Sequence, residues 1–198
     1  MNRKGQEAVS AVLISGILIG VVGSVYFWGI PLIQKSRDTS LLENAESFMT
    51  LMEQKIKSVA AGGGRENIRL TEPGTLEFSG GALIYTISTD GTIYATDANI
   101  PLGKSSNCDA TKTGTFGTND SSVLCISSAQ LADSKYQNTY SLGYRDLISG
   151  LKTYRIALTG NAAAGSRDRT LIIQNDGVTE TQQDGKQIVT SSVRISIE

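Results

Sequence analysis

The stretch from Ala8 to Gln34 holds 27 residues without a formal charge, and it narrows the folds open to this chain more than any other feature. As a helix it is roughly 40 Å long at ~1.5 Å per residue. A bilayer core is about 30 Å thick and takes ~20 apolar residues. The stretch is long enough to span, and it exceeds the ~7–15 apolar residues of a cleaved secretory signal. Its end, Tyr26-Phe27-Trp28-Gly29-Ile30-Pro31, is bulky and aromatic where a small-x-small cleavage site belongs. Such aromatics suit an interfacial belt at the outer end of a span. Arg3 and Lys4 precede the stretch, while Lys35, Arg37 and Asp38 follow it. That balance favours an internal N-terminus.

Gly16, Gly20 and Ser24 are spaced by four, along one stripe of the helix. A small-xxx-small stripe lets two helix backbones approach closely in an apolar medium. Glycine is also common in membrane helices for no specific contact, so the stripe by itself leaves both readings open.

Helical periodicity continues beyond the apolar stretch. Gly29 and Pro31 predict a bend or hinge, with Asp38, Thr39 or Ser40 placed to cap a restart. Then Leu41, Leu42, Ala45, Phe48, Met49, Met52, Ile56 and Val59 recur at three and four, an apolar stripe on an amphipathic helix. Glu43, Glu46, Glu53, Lys55 and Lys57 fill the polar side, acids leading and lysines trailing, as the helix dipole favours. Gly62-Gly63-Gly64 ends the helix. The expectation is one nearly continuous helix over 6–61, roughly 80 Å long. Residues 6–34 are apolar all round and 35–61 are apolar on one side.

From residue 65 to 198 Thr, Ser, Gly, Asn and Asp dominate and apolar runs are short, predicting one β-rich domain. Thr75 to Phe78 and Leu83 to Ile87 flank Gly80-Gly81, a hairpin signal. Asp90-Gly91 leads into Thr92-Ile93-Tyr94-Ala95, which predicts a second hairpin. Later strands are expected at Lys152–Thr159, Arg169–Gln174 and Gln187–Ile197, with Asp176-Gly177 and Asp184-Gly185 as punctuation. Between Asn99 and Ser141 the pattern is weak and reads as a loop-rich insert with a short helix near Ser127 to Asp133. The predicted fold class is α+β: a long N-terminal helix, then a mostly antiparallel β domain.

The chain has no histidine, two cysteines and a formal charge of −1. Without histidine a Cys/His metal site and a Ser/His/Asp or Cys/His nucleophile are excluded. No cofactor or nucleic-acid motif is present, basic residues are scattered, and Asp168 with Arg167 and Arg169 reads as a solvated turn. The expectation is a protein without enzymatic activity. Cys108 and Cys125 are expected to form a disulfide outside the cytoplasm, the other reading being two buried thiols. Asn119-Asp120-Ser121 is an N-glycosylation sequon.

Lys4-Gly5-Gln6-Glu7-Ala8-Val9-Ser10 and the apolar run behind it resemble the type IV pilin-like proteins of archaea. Trp28 to Ile33, the amphipathic helix and Gly62-Gly63-Gly64 are similar too. The resemblance implies a class III signal peptide. A prepilin peptidase would cut between Gly5 and Gln6, removing residues 1–5 and keeping the helix. Where bacterial members carry a glutamate this chain has Ser10, and its Glu7 lies three residues earlier. The implied protein is a membrane-inserted precursor handed to pilus assembly machinery. It becomes a homo-oligomeric extracellular filament by bundling of 6–34, with 65–198 as an external head. The alternative kept beside it is a membrane-anchored surface binding or adhesion protein, or a minor pilin that forms no filament alone.

Overall fold

In the computed structural model of the chain, residues 3–132, 135–160, 164–165, 169–183 and 185–197 are described, the side chains of 3–8 and 164–165 excepted. Arg167, Asp168, Asp133 and Asp184 lie outside them, so the Asp168 turn reading does too. Helix α1 runs from Arg3 to Gly62 without interruption and carries Pro31 inside it. The expected restart is corrected: Asp38, Thr39 and Ser40 are interior helical residues rather than caps. A proline costs its helix one N–H bond, and the bonds on either side persist. The helix stops at Gly63 and Gly64, whose φ of 73° and 88° an L side chain adopts only with strain.

Twelve strands follow among the described residues, in two six-stranded sheets. They are β1 (Arg65–Leu70), β2 (Thr75–Ser79), β3 (Ala82–Thr89), β4 (Asn99–Pro101), β5 (Gly114–Thr115) and β6 (Ser122–Gln130). The rest are β7 (Tyr136–Tyr144), β8 (Leu147–Ser149), β9 (Lys152–Gly160), β10 (Ala164–Gly165), β11 (Arg169–Gln183) and β12 (Lys186–Ile197). One sheet has the order β1-β11-β12-β9-β8-β5, the other β10-β2-β3-β7-β6-β4. Most pairs are antiparallel; β12 with β9 and β5 with β8 are parallel. The fold is α+β.

Both sheets turn apolar residues onto the second half of α1. Ala45, Met49, Met52 and Ile56 are wholly buried, in one cluster with Ile173, Val193 and Leu171 of the first sheet and Tyr85, Tyr140, Leu142 and Ile126 of the second. The second half of the helix is therefore the centre of the head's core. Burying such side chains contributes about 1.5–3 kcal/mol each.

The Gly80-Gly81 hairpin forms as its sequence demands, Ser79 opposite Ala82 with both glycines at positive φ. The second hairpin does not form. Beyond Thr89 the chain leaves the sheet, and the free edge of β3 pairs with β7 instead, Leu83 opposite Leu142 through Thr89 opposite Tyr136. The 91–95 segment spends its polar groups on side-chain bonds: Thr92 Oγ1 donates to Asn138 Oδ1 at 3.0 Å, and Thr89 Oγ1 to the Gly91 carbonyl at 2.6 Å.

The expected loop-rich insert is corrected as well. It contains β6 and most of β7, two neighbouring strands inside the second sheet, and the segment expected to be helical from Ser127 is the end of β6. Residues 122–126 of β6 are buried on both faces, so no alternation betrays the strand. Its serines are matched internally, as where Ser128 Oγ meets Thr92 Oγ1 at 3.1 Å. Asp176-Gly177 proves to be a bulge inside β11 rather than its end. Asn175 faces Val193 and Gly177 faces Ser192, leaving Asp176 unmatched.

Candidate functional site

From Val9 to Ile33 every side chain on α1 is exposed, with only Gly23 and Gly29 partly covered. Trp28 is 86% and Ile19 73% exposed. This part of α1 is long and apolar enough to cross a membrane, and none of it is buried within the chain. A surface of this kind on one molecule requires a cover, either lipid or other protein.

Gly16 and Gly20 have open space around them: a Cβ at either would meet nothing within 4 Å. Ser24 Oγ donates to the Gly20 carbonyl at 2.8 Å, and Ser15 Oγ to the Ala11 carbonyl at 2.8 Å. Both hydroxyls are satisfied within the helix, which removes the cost of placing them in hydrocarbon. Gly5 and Gln6 lie in the first turns of α1, their side chains outside the described set. Gly29 and Pro31 sit in the exposed part.

The 90–93 segment of the head and α1 residues Pro31, Gln34, Lys35 and Asp38 line one cleft, with Asp38 Oδ2 3.4 Å from a Cβ built on Gly91, and Leu42 is the first wholly buried residue. From there the helix is pinned along its length. Tyr140 Oη donates to the Leu42 carbonyl at 2.9 Å, and Tyr94 Oη to Glu46 Oε2 at 3.0 Å. The two hydroxyls are 3.1 Å apart. Burial pushes the Tyr94 phenol up to about 12; the bond with Tyr140 opposes this and Glu46 adds to it. Burial, then Tyr94 and Glu46, also raise Tyr140, so both phenols stay protonated donors. At the far end Asn175 Nδ2 donates to the Val59 carbonyl and Ser191 Oγ to the Ala60 carbonyl, each at 2.8 Å. The Val59 carbonyl also accepts from the Gly63 amide at 2.9 Å, so these side-chain bonds reinforce the last turn of the helix.

Midway, Glu53 departs from its expected place on the polar face and is only 8% exposed. Its Oε1 accepts from Lys57 Nζ at 2.7 Å and from Ser122 Oγ at 2.6 Å. Lys57 also pairs with Asp120. Burial raises the Asp120 carboxyl, but Lys57 and the Ser122 amide outweigh it, and the net pKa lies below the usual carboxylate range. One ammonium thus serves two carboxylates, one on the helix and one on the loop before β6. Lys55 adds a bond to Glu66 of β1 at 2.8 Å. The Glu53–Lys57 pair is one helical turn apart, but the bonds from the helix to Glu66, Asp120 and Ser122 join residues 11 or more positions apart, and no helical periodicity records them.

Cys108 and Cys125 are joined by a disulfide, which ties the loop after β4 to β6. Asn119 is exposed and its Oδ1 accepts from the Thr115 amide at 2.8 Å. Among the described residues no three His, Cys, Asp or Glu side chains converge to hold a metal. The layout of a long apolar N-terminal helix leading into a β domain fits that of type IV pilin-like proteins. No family model, no curated protein and no solved structure matches the chain.

Proposed function

We propose that this chain is the structural subunit of an extracellular pilus-like filament, assembled by bundling the first half of α1. The observation that carries the reading is the change of environment along one unbroken helix. Residues 9–33 are apolar and bare, and 42–59 form the core of the head. A subunit so built carries the bundled half and the external head on one helix, with the Gly29 and Pro31 hinge between them letting the head tilt as subunits stack. Lipid covers the bare half in the precursor, and other copies cover it after a cut between Gly5 and Gln6. Close approach at Gly16, Gly20 and Ser24 gives van der Waals contact where no hydrophobic drive exists in lipid. The contact is head-to-tail, so it propagates as an open helix rather than closing into a ring.

The test uses the full chain expressed with a prepilin peptidase, then released from detergent and imaged by electron microscopy. Filaments with Gln6 as the first residue by mass spectrometry are expected. The double variant Gly16→Leu, Gly20→Leu should insert in the membrane and keep its head folded, yet form none. Retention of Met1, or a cut near Pro31, would sink the reading, whereas normal filaments from the double variant would remove only the Gly16, Gly20 and Ser24 stripe from it. Processed subunits that insert but never polymerise alone point instead to an anchored binding protein or minor pilin.

A further inference from the structure

The disulfide loop encloses a cation with no ionic partner among the described residues. Arg145, between β7 and β8, is only 5% exposed. Its backbone is held, N donating to the Ser121 carbonyl at 2.8 Å. Its guanidinium makes one long bond with the described residues, Nη2 to Asn107 Oδ1 at 3.3 Å. Its Nε is enclosed with no acceptor among them. Arginine is almost never buried to this degree unpaired, since removing its charge from water is costly.

The neighbouring carboxylates are engaged elsewhere. Asp146 takes Arg155 through two bonds of 2.8 and 2.6 Å. Asp120 takes Lys57. Asp109 takes the Thr111 hydroxyl at 2.6 Å and Lys112 at 3.7 Å. The space is cramped as well. Asn107 is held by the adjoining Cys108–Cys125 disulfide. Gly114 lies over the arginine stem: a Cβ there would be 3.4 Å from Arg145 Cδ and 2.9 Å from both Asn119 Cβ and Leu147 Cδ2.

We infer that Arg145 holds a small monoanion, a halide or a formate-sized carboxylate, beneath the disulfide loop between Asn107 and Gly114. The guanidinium only donates, so Nε needs an acceptor, and the buried charge needs an opposite one. A water molecule supplies the first and not the second. A monoanion supplies both through charge-assisted bonds. The site orders the loop that covers it and is independent of filament assembly.

Thermal unfolding of the full chain in non-ionic detergent tests this, followed by near-ultraviolet circular dichroism at one sodium concentration. The counter-ion is chloride, formate or the bulky isethionate. A saturable rise in Tm of about 2–5 °C is expected with chloride or formate relative to isethionate. The larger of the two responses distinguishes halide from carboxylate. Arg145→Met keeps an apolar stem and no donor, and its Tm should be the same in all three salts. Equal wild-type Tm values would overturn the inference, leaving Nε to water. A dependence that persists in Arg145→Met would place the anion elsewhere and overturn it equally. Chlorine NMR of the wild type gives a readout free of variant folding: broadening relieved by formate is expected, and an unbroadened line together with no rise in Tm in formate refutes the site.

Discussion

Replacing Lys57 by methionine isolates the electrostatic tie between helix and head. Methionine keeps most of the apolar stem and deletes the ammonium that serves both Glu53 and Asp120. The side chains of Lys57, Glu53 and Asp120 are 28%, 11% and 20% exposed. Removing one member of a fully buried pair costs about 3–5 kcal/mol. Partial access to water screens the remaining charges, so about 1–3 kcal/mol is expected here at pH 7. The pH dependence carries the stronger test. In the wild type the Asp120 pKa is depressed, so its stabilisation is present above the unfolded-state value of about 3.9 and is lost as pH falls through the folded value. In the variant two desolvated carboxylates face each other without a cation, so their pKa values rise above the unfolded ones. That destabilisation is full at neutral pH and is relieved as pH falls through the raised values. The gap between the two proteins should be widest at pH 7 and shrink towards pH 4. Urea unfolding of the full chain in detergent at a series of pH values measures the gap. A gap that is constant with pH would show that Lys57 contributes through packing alone, and the shared-ammonium account would fail.

Reducing the Cys108–Cys125 disulfide frees a 17-residue separation. A chain-entropy treatment assigns such a loop on the order of 3 kcal/mol, so dithiothreitol should lower the head's Tm by several degrees. Glycines of the shaft and the sheet should respond oppositely to alanine. At Gly160 the new Cβ would sit 2.6 Å from the Ile195 carbonyl oxygen, a backbone atom, and overpacking of about 1–3 kcal/mol is expected. At Gly20 the Cβ meets nothing within 4 Å, so Gly20→Ala should leave head stability unchanged. Circular dichroism melts of both variants in detergent check the contrast, and equal losses would contradict it.

Legibility in this chain followed the range of the signal. Apart from the restart expected at 38–40, the helix was readable because periodicity and hydropathy are local, and the Gly80-Gly81 turn was readable because two positive-φ glycines specify it within two residues. The 91–95 hairpin and the 99–141 insert were misread for one reason. Pairing of β3 with β7 links residues about fifty positions apart, and Asn138, Ser128 and Thr92 satisfy one another only after that pairing exists. Buried polar strands such as β6 look like loops until their partners are known.

By itself the sequence determined that a bare apolar helix opens the chain, that it passes into an amphipathic half, and that a β domain follows. Those properties depend on the spacing of neighbouring residues. The apolar stripe from Leu41 to Val59 already pointed to packing on the head; the tertiary structure alone decided that both sheets close over it, that Glu53 is buried beside Lys57 and Asp120, and that Arg145 is enclosed without an ionic partner among the described residues. Burial and charge pairing depend on what the rest of the chain brings into contact, and no local pattern records that.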